Sequence, residues 1–196
     1  EFVQELIKQE RSSEELQLWR NKTIPLKELD TSNFIIPRYV ENIFESEVFP
    51  QLENGDIFNH VLLYSSPGVG KTAYCRYLAK KFPTWQTIIV YPATIIKPFD
   101  VIDAFNYVKQ RETAILVFED LDTLAETRYQ YEGYNANFSE YLGALLNCLD
   151  GIETNTKILV LATTNNPQTL DPAIIRPGRF GIHIDFKYSE KELIAL

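Results

Sequence analysis

The sequence predicts an α/β fold: a three-layer αβα sandwich on a five-stranded parallel sheet. Three observations predict it. Short apolar runs rich in β-branched residues alternate with stretches of helical period, the pattern of successive right-handed β-α-β units with helices on both faces of the sheet. The 196 residues are 45% hydrophobic, enough for one two-sided core. A glycine-bearing loop, 65–70, sits between the first apolar run and the first long helix.

Taken in order, residues 1–33 are polar and charged, with a helical stretch at Phe2–Ile7, and are expected to form a helical or linker segment ahead of the core, which is placed at 34–188. After Pro37, the spacing of Tyr39, Val40, Ile43, Phe44 and Val48 predicts an amphipathic helix. Strands are predicted at 60–65, 86–92, 114–119, 157–163 and 182–186, and helices at 71–82, 101–111, 137–150 and 171–175. In helix 137–150, Phe138, Tyr141, Leu142, Leu145, Leu146 and Leu149 recur at steps of three and four, the stripe of a core-facing helix. The polar, aromatic run 127–137 lacks periodicity and is expected to be an exposed loop. Residues 189–196 are expected to begin a further helical element.

The net charge of −8 and pI near 4.9 argue against a broad basic surface for nucleic acid. No apolar run reaches the length of a membrane span. The two cysteines, Cys75 and Cys148, fall on predicted helices, where a free thiol is expected, compatible with a reducing compartment. The chain begins at Glu1 and contains no methionine, so it reads as a piece of a longer protein.

The chemistry lies in the loops that follow the strands. Between Val61-Leu62-Leu63-Tyr64 and the helix from Lys71 stands Ser65-Ser66-Pro67-Gly68-Val69-Gly70-Lys71-Thr72-Ala73. Glycines at 68 and 70 allow backbone N–H groups to turn toward phosphate oxygens, and the helix N-terminus adds partial positive charge. Lys71 would meet the β/γ-phosphates and Thr72 would ligand Mg²⁺ through its hydroxyl. The strict G-x-x-x-x-G-K-[ST] pattern has glycine where this chain has Ser65.

Ala114–Phe118 runs into Glu119-Asp120-Leu121-Asp122, placing acids at the carboxyl end of a buried strand, where ligands bind in open α/β sheets. Glu119 is the candidate metal-side acid, and Asp120 the candidate that orients or deprotonates the attacking water. Strand 157–163 likewise leads into Asn165, a candidate hydrogen-bond partner of water or γ-phosphate. Arg176 and Arg179 lie three residues apart on a turn stiffened by proline and glycine. Fixed guanidinium groups suit charge developing on a phosphoryl group.

Together Ser66–Thr72, Phe118–Asp122, Leu145–Gly151, Ala162–Asn165 and Leu170–Phe180 identify a resemblance, over about residues 37–188, to the AAA ATPases, P-loop NTPases. The chain is most similar to the unfoldase and remodeller branch, and within it to the mitochondrial respiratory-complex assembly chaperone group and its relatives. The resemblance implies ATP and Mg²⁺ as cofactors. It makes Asn165 a sensor and casts Arg176 and Arg179 as fingers reaching a neighbour's site in a hexamer-like homo-oligomeric ring. It also implies a protein substrate gripped by an aromatic residue on the loop Ile95–Asp100, for which Phe99 is the candidate. Backbone near Phe34–Ile36 would border the adenine, and a helical lid would begin near residue 189. Gly181 stands where an acid commonly follows the Arg-Phe pair, and Glu119-Asp120 reverses the usual acid order. Two other readings compete with an ATP-driven remodeller: a nucleotide-switched module of DNA machinery, and an ATP-binding domain without turnover.

Overall fold

The computed structural model describes residues 15–20, 23–29, 31, 34–55, 60–123, 137–152 and 157–195. Its centre is one seven-stranded sheet in the order β2-β1-β4-β5-β6-β3-β7. The strands are β1 (Glu15–Leu18), β2 (Thr23–Pro25), β3 (Val61–Tyr64), β4 (Gln86–Val90), β5 (Thr113–Phe118), β6 (Lys157–Thr164) and β7 (Ile182–Asp185). All pairings are parallel except β1 with β2. All five predicted strands are present within two residues of their expected ends, in the predicted parallel arrangement.

Two strands were not expected. Residues assigned to a helical or linker segment ahead of the core instead complete the sheet: Leu16, Gln17 and Leu18 pair with Thr87, Ile88 and Ile89 of β4. Trp19 follows, fully buried, with its amide donating to the Ile89 carbonyl at 2.8 Å. The expected helix at Phe2–Ile7 and residues 127–136 of the expected loop lie outside the described residues, as does the side chain of Phe138, while Asn137, expected to end that loop, opens a helix.

Period-two alternation sends side chains to opposite faces, and the sheet divides its core that way. Leu62, Ile88, Val90, Leu116, Phe118, Val160 and Ala162 enter one cluster, covered by α4 (Pro98–Val108) and α5 (Asn137–Asp150). Val61, Leu63, Ile89, Ile115, Val117, Leu159 and Leu161 enter the other. There they meet the helical segment after Pro37, comprising α1 (Arg38–Ile43), a π-helical turn (Phe44–Val48) and α2 (Phe49–Asn54), and also α3 (Lys71–Lys81). A last short helix, α6, spans Glu190–Ala195.

Two expected helices differ: the one at 101–111 runs Pro98–Val108, and the one at 171–175 does not form. Helix α4 starts at Pro98, not 101, because proline suits the first turn and Asp100 accepts the Ile96 and Lys97 amides there, each at 2.7 Å. Residues 171–175 form turns rather than a helix. The Asp171 side chain takes the Ala173 amide at 2.8 Å, a local bond that competes with helix formation. Gly178, at φ 84°, then bends the chain back so that the Phe180 amide reaches the Ile174 carbonyl.

Candidate active site

Strands β5, β6 and β3 are neighbours in the sheet, so the loops after their carboxyl ends meet. The loop after β3 needs its glycines for different reasons. Gly68 and Gly70 both have positive φ, 81° and 113°, which side-chain-bearing residues rarely adopt. At Gly70 a Cβ would also stand 3.1 Å from the Phe34 ring, with Tyr188 and Phe186 beyond it. Phe34 thus packs on the turn from the N-terminal side, next to the Ile35 carbonyl that accepts the Tyr188 hydroxyl at 2.9 Å. Ser66, Pro67 and Gly68 are exposed at the crest of the loop, while Val69 and Ala73 are partly buried.

Lys71 opens α3 and is buried at 6% exposure. Its ammonium donates to the Ser65 carbonyl and hydroxyl at 3.0 Å each, to the Ser66 carbonyl at 3.3 Å and to Asn165 Oδ1 at 2.8 Å. Burial pulls its pKa down, while Asp120, Asp122 and Glu119 oppose that pull.

Across the crevice, Thr72 and Thr163 each donate a hydroxyl to Glu119 Oε2 at 2.8 Å. Glu119 is 2% exposed, and among the described residues its buried Oε1 has no nitrogen or oxygen partner, the Cys75 thiol being set against the carboxylate. Burial raises the Glu119 pKa, against the hydrogen bonds from Thr163 and Thr72. The Thr72 hydroxyl and the Glu119 carboxylate, 2.8 Å apart, are the kind of oxygen donors that a hard cation such as Mg²⁺ takes. No cluster of three or more His, Cys, Asp or Glu suited to a metal exists among the described residues.

Asp120 follows with φ 46°, a left-handed conformation uncommon outside glycine. Thr163 fixes it by accepting the Asp120 amide at 2.9 Å, and Asn165 Nδ2 donates to Asp120 Oδ1 at 3.1 Å. The Asn165 amide in turn meets both Asp122 oxygens at 3.3 Å. The structure therefore brings together five of the predicted residues, Lys71, Thr72, Glu119, Asp120 and Asn165. It adds two that sequence reasoning left without roles, Thr163 and Asp122, both inside motif blocks whose neighbours drew the attention.

The two arginines differ. Arg179 is held within its own chain, its Nε and Nη2 pairing with the two Asp150 oxygens at 2.7 Å each and its Nη1 donating to the Ala173 carbonyl at 2.7 Å. That pair lowers the Asp150 pKa and raises that of Arg179. Arg176 is exposed, and its guanidinium has no hydrogen bond or ion pair among the described residues. Phe99 is 63% exposed and Ile96 70% exposed, so Phe99 is a surface residue and not a core one.

A glycine turn and lysine at a helix start, facing acids and an asparagine at the ends of adjacent parallel strands, define a nucleoside-phosphate-binding α/β domain. The sequence model of the ATPase family associated with various cellular activities (AAA) matches residues 61–188, and the chain belongs to that family. It is 33% identical over 132 residues to 26S proteasome regulatory subunit 10B homolog A of Arabidopsis thaliana, covering 64% of this chain and 33% of the relative. It is 31% identical to 26S proteasome regulatory subunit 10B of Dictyostelium discoideum over the same length and shares. The chain thus spans about a third of the length of the curated relatives it matches.

Proposed function

We propose that this chain is the MgATP-hydrolysing domain of a ring-forming protein remodeller. The observation that carries the reading is one continuous set of side chains joining three loops: Lys71 to Asn165 to Asp120, and Thr72 to Glu119 to Thr163 and the Asp120 amide. Phosphoryl transfer depends on positioning and charge neutralisation, and each member has a place in it. The loop Ser66–Ala73 cradles the phosphates, and Lys71 exchanges its loop carbonyls for β/γ-oxygens. Thr72 and Glu119 would hold Mg²⁺, which would neutralise charge on the phosphates. Asp120 takes or orients the proton of the attacking water, with Asn165 fixing its carboxylate. Phe34 borders the base.

Arg176, exposed and unpaired among the described residues, is the guanidinium available to a neighbouring subunit's site. Arg179 holds the turn that presents it. Exposed Ile96 and Phe99 are suited to gripping polypeptide. The AAA match, the proteasome-subunit relatives and the acidic charge favour this reading over a DNA-machinery module.

Turnover per subunit measured against protein concentration tests it, with Arg176→Ala doped into wild type. Turnover that climbs with concentration and falls more steeply than the mole fraction of the variant is expected, as is its loss on chelation of Mg²⁺. Turnover independent of concentration would overturn the shared-site reading.

A further inference from the structure

The strands β1 and β2 lie outside the residues matched by the family, 61–188, yet they are integral to the sheet. On one face of the sheet Leu16 and Leu18 join the cluster under α1 and α3, and on the other the segment meets α4. Asp100, Asp103 and Tyr107 recur at steps of three and four, so they line up on the same side of that helix. Near its C-terminal end, the Tyr107 hydroxyl donates to the buried Gln17 Oε1 at 3.0 Å, and the Trp19 ring meets the Tyr107 ring edge-on at 5.9 Å. At its N-terminal end, Arg20 Nη2 reaches Asp100 Oδ1 at 2.5 Å and Asp103 Oδ2 at 3.5 Å. Arg20 makes these contacts from φ 55°, a conformation unfavourable for a side-chain-bearing residue and held here by its surroundings.

Asp100 is the pivot. Its Oδ1 faces Arg20, while its Oδ2 accepts the Ile96 and Lys97 amides. Those amides belong to the segment that displays Ile96 and Phe99. The same segment is tied on its other side, where the Tyr141 hydroxyl of α5 donates to the Ile96 carbonyl at 2.5 Å. An exposed apolar turn leading into a helix would ordinarily be loose. This one is held at both flanks, and one flank runs through a carboxylate only 3% exposed to the N-terminal strands.

The geometry points to Arg20 as a positioning residue for Ile96–Phe99, the entry to α4: through Asp100 it couples the N-terminal strands to the surface that engages an unfolded polypeptide. Arg20 touches no substrate itself. It restrains the carboxylate that restrains this segment, so whatever shifts β1 shifts the display of Phe99. The polypeptide part of this inference rests on the remodeller reading, whereas the coupling itself does not.

The test has two arms, both on the longest form of the protein that carries residues 1–196. In the first, amide hydrogen exchange is read in wild type, Arg20→Gln and Arg20→Lys. Arg20→Gln should speed exchange at Ile96 and Lys97 by about tenfold or more while the amides of β5 and of 65–70 keep their protection, and Arg20→Lys should restore much of the difference. In the second, ATP turnover is followed as α-casein is added as an unfolded probe. Arg20→Gln should leave turnover without casein unchanged and raise the half-stimulating casein concentration roughly threefold or more. Unchanged exchange at Ile96 and Lys97, or acceleration spread evenly through β1, β4 and β5, would overturn the coupling. Normal casein dependence with locally faster exchange would overturn the link to polypeptide. A wild type that hydrolyses no ATP would fail the remodeller reading, and the exchange arm would still decide the coupling.

Discussion

The two sides of the sheet are built on opposite logics. At the carboxyl ends of β3, β5 and β6, function sits in loops of a few residues whose polar groups satisfy one another, and among the described residues one carboxylate oxygen, Glu119 Oε1, has no nitrogen or oxygen partner. At the β1–β2 edge there is no motif, only two short strands. They are held by the buried side chains of Leu16, Gln17 and Trp19 and by partners 70 or more residues away. The first region is locally strained and prepared for a ligand. The second is globally supported and hands its order on to a helix. Strain at a site persists only where the surroundings over-determine it, and here those surroundings are the bonds of Thr163 and Asn165 to Asp120.

The sharpest way to separate the regions is to truncate one buried side chain in each and compare what is lost. Lys71→Ala at the site should cut ATP turnover by about a thousandfold or more with little change in unfolding midpoint, since it removes charge neutralisation and frees a buried group. Turnover within tenfold of wild type would break the comparison. At the edge, Trp19→Ala should cost about 3–5 kcal/mol of stability in denaturant unfolding, the range for emptying a buried aromatic site. A cost under about 1 kcal/mol would show that the strands merely rest on the sheet.

Acid should act at the β3 end. His60 is buried, and burial lowers its pKa from 6.5 to about 4. Its Nδ1 accepts the Val160 amide, and its own amide donates to the Arg179 carbonyl at 2.7 Å. Between those values the unfolded chain binds the extra proton, so this contribution is complete above pH 6.5 and is lost as pH falls toward 4. The loss is on the order of 3 kcal/mol, and urea titrations across that window should show it. His60→Asn, which keeps an acceptor and removes the titration, should flatten the profile. The smallest effect is expected from Tyr107→Phe, which leaves Gln17 Oε1 without its donor and should cost about 1–3 kcal/mol in the same assay.

The site region was legible because each of its motifs is short and chemically restrictive. Only glycine tolerates the φ of 113° and the Phe34 contact at position 70, so that residue announces the turn. The acids after β5 and the asparagine after β6 follow runs that are apolar throughout, as strands buried on both faces must be. Thr163 was not singled out because a threonine ending a β-rich run reads as strand propensity. Its role, bridging Glu119 and the Asp120 amide, exists only once β5 and β6 lie side by side. Strand β1 was misread for a related reason. Four residues alternating polar and apolar give too short a window for a period, and Gln17 counts as a surface residue until Tyr107 is placed against it. Residues 171–175 carry the apolar spacing of a helix, but the Asp171 side chain takes an amide that a helix would need.

The central claim is that the joined loops form a hydrolytic site in which Asp120 acts on water after ATP has bound. The most direct measurement is ATP affinity and turnover, side by side, for wild type and Asp120→Asn in the presence of Mg²⁺. Affinity preserved within about threefold, with turnover reduced by about a hundredfold or more, is the predicted result. Equal turnover in the two proteins, or nucleotide bound by both with no turnover in either, would contradict it.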